Sequence, residues 1–267
     1  MKIPLYQVDA FTTKPFKGNP AAVVLLNQER EKAWMQSVAN EMDLSETAFL
    51  LPKGEGYELR WFTPKMEVEL CGHATLASAH ILYELGYFEQ EETIKFFTKS
   101  GLITSTFNRG TIELAMPRRD ASPVQASDQL IEVVGCTPLR AAQFSDKLVI
   151  AELESRELVE QYQPDYDRIA RLPYTDLVIT AVDDRKKYDF VSRFFSPRTY
   201  VFEDPVTGMA HCSLGPFYMD KLGKEQFHAY QASPRGGELW IRVAPDKVYI
   251  GGKAVTVFLG DLLKQED

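Results

Sequence analysis

Residues 72–86 read GHATLASAHILYELG, and from Gly72 through Tyr83 the stretch holds no lysine, arginine, aspartate or glutamate. A helix that is small or apolar all round has no face to offer water, so the spacing predicts a buried helix. Residues 208–219, GMAHCSLGPFYM, are uncharged in the same way. A chain with two such helices needs other elements wrapped around each of them. Gly215-Pro216 falls inside the second, and proline both lacks a backbone donor and clashes one turn back. A kink or break is expected there.

Working outward, the segments flanking the two helices echo each other. RWFTP at 60–64 returns as RFFSP at 193–197, an interval of 133 residues, and Asp43-Leu44 returns as Asp176-Leu177 at the same interval. Gly72 and Gly208 are 136 apart, and Leu85-Gly86 and Leu222-Gly223 are 137 apart. A small insertion between the proline and the glycine accounts for most of the drift. Four matches in one order at a nearly constant interval mark a duplicated unit. The join is expected in MPRRDASPVQASD (116–128), where Pro, Ser and Asp gather. That gives an N-terminal domain over 1–118 and a C-terminal domain over 119–257, with 258–267 pairing back onto the first.

Each unit has the same grammar. YQVDAF, AAVVLL, TAFLL and ELRWF are short apolar or alternating runs that read as strands. Trp34, Val38 and Met42 lie at i, i+4 and i+8 of an amphipathic helix in REKAWMQSVANEM. After each uncharged helix comes a hairpin, with turns at Asn108-Arg109-Gly110 and Pro245-Asp246. The economical picture is an α+β fold, strands around one central helix, twice over.

The totals exclude several functions. The chain has 267 residues, 45% hydrophobic and 25% charged, with a net charge of −8 and no lysine/arginine run. Nucleic acid and membrane surfaces are therefore disfavoured as partners. No apolar run approaches the ~18 residues of a membrane span. Three cysteines (71, 136, 212) without framework spacing, and an N-terminus without a signal peptide's apolar centre, lead to the expectation of a cytoplasmic protein.

Chemistry has few places to sit. Two buried helices starting at Gly72 and Gly208 put two sets of unpaired backbone N–H groups inside the fold, where they attract anions. If the repeats face each other, both starts converge on one cleft and hold a carboxylate without an arginine. Tight turns alone also explain both glycines. Glu46 shares a strand face with Ala48 and Leu50, so its carboxylate is a candidate proton carrier, the alternative being a solvated strand start. Asp204, before Pro205, is open to a turn or capping role as well. Metal binding fits poorly, because the four histidines (73, 80, 211, 228) and three cysteines show no paired ligand spacing. Cys71 and His73 are two residues apart and would not face each other on a helix.

At these residues the chain resembles a known family. VDAFTTKPFKGNPAAVV, LSETAFL, RWFTP, LCGHATLASAH and EDPVTG resemble, in that order, signatures of the PhzF family of phenazine-biosynthesis-like isomerases, and GGKAVTVFLG resembles its C-terminal strands. The resemblance implies the diaminopimelate epimerase-like fold, two similar domains each rolled around a central helix, with the active site between them. It implies an acid/base glutamate at Glu46, an active-site histidine at His73, an aspartate at Asp204 and helix-start glycines at Gly72 and Gly208. It also implies a cofactor-free isomerisation and a homodimer. Two departures limit the transfer. Met209 stands where the phenazine enzymes have serine. Cys71 and Thr207 stand where the related amino-acid epimerases have paired cysteines, which disfavours a two-thiol epimerase.

The expectation is a cofactor-independent isomerase that moves a proton on a small carboxylate-containing substrate, with Glu46 as acid/base. His73 and Asp204 would orient the substrate or relay the proton, and Gly72, Gly208, Met209, Cys71 and Thr207 would line its binding site. Two rivals share these residues: a one-base racemase or epimerase of an amino-acid derivative, and a binding protein that has lost turnover.

Overall fold

The computed structural model describes residues 2–108, 110–199 and 201–263. Arg109, in one expected turn, and residues 264–267, in the expected returning tail, lie outside them.

The first repeat runs β1 (Ile3–Ala10), β2 (Asn19–Leu25), α1 (Lys32–Met42), β3 (Glu46–Lys53), β4 (Gly56–Phe62), β5 (Glu67–Val68), α2 (Gly72–Glu84), β6 (Ile94–Thr98), β7 (Gly101–Asn108) and β8 (Thr111–Pro117). It is followed by β9 (Ser122–Val124) and α3 (Asp128–Val134). The second repeat runs β10 (Arg140–Phe144), β11 (Leu148–Glu152), α4 (Arg156–Gln161), α5 (Tyr166–Ala170), β12 (Asp176–Val182) and β13 (Phe190–Ser196). It continues through β14 (Val201–Asp204), α6 (Gly208–Leu222), β15 (Gln226–Gln231), β16 (Gly237–Val243), β17 (Lys247–Gly252) and β18 (Ala254–Leu262). Among these helices none is long and apolar enough to cross a membrane.

The strand pairings repeat as the motifs do. In the first repeat β2 and β3 are parallel, β3 and β4 antiparallel, β4 and β6 parallel, and β6 and β7 antiparallel. In the second, β11 and β12, β12 and β13, β13 and β15, and β15 and β16 follow the same alternation. Tyr57 pairs with Phe96 and Phe190 with Ala229, so both partners shift by the 133 residues read from the sequence. The insertion that changes the interval to 136 coincides with a 3₁₀ turn at Pro197–Thr199.

The chain forms two compact units, 1–115 with 251–267, and 116–250. The expected limits at 118 and 257 are thus moved to 115 and 250. The reason is β18, which pairs antiparallel with β1 along its whole length, from Ala254 opposite Ala10 to Leu262 opposite Ile3. The return therefore starts at Ala254 rather than 258. In the other unit β9, the strand after β8, pairs antiparallel with β10. Each repeat's trailing strand thus completes the other repeat's sheet.

In the first unit α2 is buried from Gly72 through Ala79 and packs against β1, β2, β3, β7 and β18. Strands from both ends of the pairing order touch it, so the sheet is rolled around the helix. On the outer side of that sheet, α1 buries Met35 and Ala39, while Trp34, Val38 and Met42 cover the same apolar cluster from its half-buried rim. The stripe read from the sequence is therefore the rim of the buried face, not its centre.

In the second unit α6 holds the equivalent place. Tyr218 stacks on Phe190 of β13 at 4.5 Å, its hydroxyl lies 3.1 Å from Thr180 of β12, and Lys221 reaches Glu152 of β11. The helix is continuous from Gly208 to Leu222, with Pro216 inside it, so the expected break is absent. Proline leaves the Cys212 carbonyl without its usual donor one turn on. The N–H of Arg119 supplies that bond instead, at 3.3 Å. Gly215 sets how closely the helix approaches the sheet. A β-carbon there would lie 2.9 Å from Ile241 Cγ2 and 2.9 Å from Val243 Cγ2.

Two ion pairs repeat with the strands. Arg60 donates to Glu67 at 2.8 Å, and Arg193 donates to Glu203 at 2.7 Å. Glu67 is the more enclosed, with Lys99 at 2.7 Å and Lys32 at 3.3 Å as well. Burial works to raise its carboxyl, but hydrogen bonds from Arg60, Lys99 and Lys32 outweigh it and hold the pKa at about 2.

A glycine-to-alanine change in a helix interior ordinarily stabilises by up to ~1 kcal/mol. Gly215→Ala is expected to do the reverse, because β-branched Ile241 and Val243 cannot swing aside. Overpacking of this kind costs about 1–3 kcal/mol, readable as a lower urea midpoint. An unchanged or raised midpoint contradicts the close approach.

Candidate active site

In the first unit the polar residues gather where two strands and a helix begin. Ala21 pairs with Glu46 in the parallel β2–β3 ladder, and Asn19 lies two residues before Ala21. Side chains two apart share a face of a strand, so Asn19 and Glu46 project to one side of the sheet. Asn19 is delivered there by Gly18, whose φ of +65° suits glycine, and where a β-carbon would lie 2.1 Å from the Ala10 carbonyl oxygen. The preceding loop is tied down by the N–H of Phe16, which donates to the buried Asp9 carboxylate at 2.6 Å.

His73, the second residue of α2, meets these side chains. Its Nε2 is 3.2 Å from Glu46 Oε2, and its Nδ1 is 3.1 Å from Asn19 Nδ2. Cys71 Sγ also lies 3.6 Å from Nδ1. The last contact corrects the expectation that Cys71 and His73 cannot face each other. Cys71 is the N-cap, with extended backbone at φ −143° and ψ 123°, so helical spacing does not govern it. The His73 side chain is 5% exposed and that of Glu46 16%, which leaves the carboxylate as the group open to a ligand.

Burial works against charge on His73, but the Cys71 sulfur and the Glu46 carboxylate outweigh it and hold its pKa well above the usual histidine value. For Cys71, burial first and the Glu46 charge second push the thiol up, against the pull of His73. Among the described residues, Glu46, Cys71 and His73 form the single set of three His, Cys or carboxylate donors within 4.8 Å of one another.

In the second unit the start of α6 carries a different network. Thr207, its N-cap, donates from its hydroxyl to Asp204 Oδ2 at 2.5 Å and accepts from Gln231 Nε2 at 3.2 Å. Gln231, fully buried, also accepts from the Thr207 N–H at 2.8 Å and donates to the Asp204 carbonyl at 2.7 Å. His211 sits one turn on, its Nδ1 2.8 Å from the Thr207 carbonyl and its Nε2 3.3 Å from Ser192 Oγ. Threonine usually caps a helix with its hydroxyl. Here that hydroxyl is held by Asp204, and neither Thr207 nor Cys71 makes a side-chain cap. Met209 is half-buried in the first turn.

Of the expected site residues, Glu46, Cys71, Gly72 and His73 are together in the first unit, and Asp204, Thr207, Gly208 and Met209 in the second. Sequence reading missed Asn19 and Gln231 as functional candidates. Asn19 lies in KGNPAAVV, quoted for its resemblance alone, and nothing in the local pattern marked Gln231.

The repeat also shows what the second copy lacks. Arg60 lies opposite Phe49 and Arg193 opposite Ile179, so by register Glu46 has Asp176 as its counterpart, while His73, next to the helix-start glycine, has Met209. The imidazole belongs to one copy only.

Residues 8–260 match the family model described as phenazine biosynthesis-like protein. The chain belongs to the PhzF family. It is 47% identical to an uncharacterized isomerase of Halalkalibacterium halodurans, over 98% of this chain and 99% of that one. Its structure matches that of a PhzF family protein of Enterococcus faecalis with a TM-score of 0.93 and 38% identity, over 99% of this chain and 100% of that one. A probable proline racemase of Agrobacterium radiobacter, with a TM-score of 0.63 at 12% identity over 98% and 93% of the two chains, shares the fold alone. The fold is thus the diaminopimelate epimerase-like one, and PhzF family members similar to this chain are named isomerases.

Burial lowers the His211 pKa from 6.5 to about 4, against the upward pull of the Thr207 carbonyl. The folded state therefore binds fewer protons than the unfolded state between those values, and stability is lost as pH falls from 6.5 toward 4. The loss attributable to this group is on the order of 3 kcal/mol. In His211→Gln that part of the urea-midpoint profile is expected to flatten; a profile that keeps its slope contradicts the assignment.

Proposed function

We propose that this PhzF family member is a cofactor-independent isomerase that moves a proton on a small carboxylate-containing substrate, with Glu46 as general acid/base. The observation that carries the reading is the Glu46–His73 pair, 3.2 Å apart at the start of α2. Glu46 takes a proton from a carbon activated by a neighbouring carboxylate or conjugated system and returns it to a second carbon of the same substrate. No net oxidation occurs. The N–H groups that open α2 lack a side-chain cap and bind the substrate's anionic group, through free donors and the positive end of the helix dipole. His73 holds the carboxylate of Glu46 in place. Asp204 has an orienting role, with Thr207, Gly208 and Met209 as further substrate contacts.

A one-base epimerase of an amino-acid derivative would use the same glutamate and return the proton to the same carbon. The two readings separate by product: a shifted double bond against an inverted centre. A protein that only binds exchanges nothing.

The test is solvent-deuterium incorporation, followed by NMR, into dihydro-hydroxyanthranilate and a panel of small unsaturated and amino-acid carboxylates. General acid–base groups contribute about 10²–10⁴-fold, so Glu46→Gln should slow exchange into an accepted carboxylate by at least ~10²-fold. Asp204→Asn is expected to slow it less. Near-normal exchange in Glu46→Gln would falsify the proton-carrier role.

Met209 puts a thioether at the position where the phenazine enzymes have a hydroxyl. Little exchange into dihydro-hydroxyanthranilate is expected from the unaltered protein, and Met209→Ser should raise it relative to carboxylates with an apolar group. The half-buried side chain makes a large stability loss unexpected. Efficient turnover of dihydro-hydroxyanthranilate by the unaltered protein rules out this role for Met209.

A further inference from the structure

Histidine can carry its neutral proton on either ring nitrogen, and the neighbours of each nitrogen decide which. Nε2 of His73 faces a carboxylate oxygen of Glu46, which accepts hydrogen bonds. Nδ1 faces the Asn19 amide nitrogen at 3.1 Å, and an amide NH₂ only donates. One neutral arrangement suits both neighbours: a bare Nδ1 that accepts from Asn19, and an Nε2–H beside Glu46, whose oxygen is 3.2 Å away but off the line of a hydrogen bond. The Cys71 thiol, 3.6 Å from Nδ1, is a second weak donor on the same side.

We infer that Asn19 is a positioning residue that fixes the Nε2–H tautomer of His73 and so keeps the histidine's proton on the nitrogen nearer Glu46. Its construction supports the role. Asn19 is fully buried, opens β2 opposite Ala10, and follows a glycine in a conformation that carries the chain under that carbonyl.

The catalytic meaning of the tautomer rests on the proposed proton-carrier role of Glu46, whereas the tautomer itself is measurable without any substrate. With Nε2–H, each proton that Glu46 gives to substrate leaves a carboxylate beside which His73 still holds an N–H, so the oxygen nearer the substrate remains the one that takes the next proton. With Nδ1–H, a bare Nε2 would face the carboxylate and repel it.

The experiment is long-range ¹H–¹⁵N correlation on the full chain labelled at its four histidines, recorded as pH is raised until His73 is neutral. His73→Gln identifies its signals by their loss. The expected result is the Nε2–H pattern in the unaltered protein, a mixture of tautomers in Asn19→Ala, and the Nδ1–H pattern in Asn19→Asp, whose carboxylate accepts where the amide donated. An Nδ1–H pattern in the unaltered protein overturns the inference, since the amide would then present its oxygen. So does an imidazolium that persists at every pH at which the protein stays folded, or an Nε2–H pattern that survives in Asn19→Asp. The unaltered protein alone decides the matter if the variants fail to fold. Deuterium exchange in the same samples keeps the two questions apart. Absent exchange with the expected tautomer counts against the proposed function, and ready exchange with the wrong tautomer counts against Asn19.

Discussion

A helix without a charged or polar face is stable only when other parts of the chain cover it on every side. That constraint, met twice, shapes the rest of this protein. Around α2 it recruits strands from both ends of the pairing order, and around α6 it requires a glycine against β16 and a borrowed N–H from Arg119 to accommodate Pro216. It also places each helix's first turn among buried groups, where unpaired N–H donors are costly unless a partner reaches them. An N-terminus inside a fold and without a side-chain cap is a structural liability that a bound anion relieves.

The two copies agree in what holds them together and differ in what they can do. Ser100 donates to the Glu69 carbonyl at 2.8 Å, and Ser233 donates to the Pro205 carbonyl at 2.7 Å, each three residues before the helix-start glycine. Thr75 and His211 each bond the carbonyl of their own N-cap residue, one turn back. These contacts close loops onto helices, and their positions are shared although the residue types have drifted. His73 does not share in this. The second copy has Met209 in place of His73, and its polar network is built instead on Asp204, Thr207 and Gln231.

The fold was largely legible in the sequence, because a duplicated pattern of charge-free helices and short apolar strands has few packed solutions. The interval of 133 residues recovered the equivalence of the β4–β6 and β13–β15 pairs to the residue. Details that depend on a single non-repetitive contact were not legible. Proline in α6 reads locally as a break, and only the position of Arg119, almost a hundred residues earlier, removes the reason for one. Cys71 and His73 read as non-facing on a helical wheel, and only the extended backbone of the N-cap brings them together. The candidate site was half legible: Glu46 and His73 followed from the resemblance, while Asn19 and Gln231 owe their importance to register across strands that no local pattern encodes.

The exchange of trailing strands has a consequence for how the chain can be made. Ile3 pairs with Leu262, so the first unit has an unfilled edge on β1 until Leu262 has left the ribosome. The second unit has no such wait, since β9 precedes β10 and its own segments are contiguous from 116 to 250. On the ribosome the later half can therefore close before the earlier half does. The half that carries Glu46 and His73 is the one finished last, by a strand that follows the whole of the second repeat.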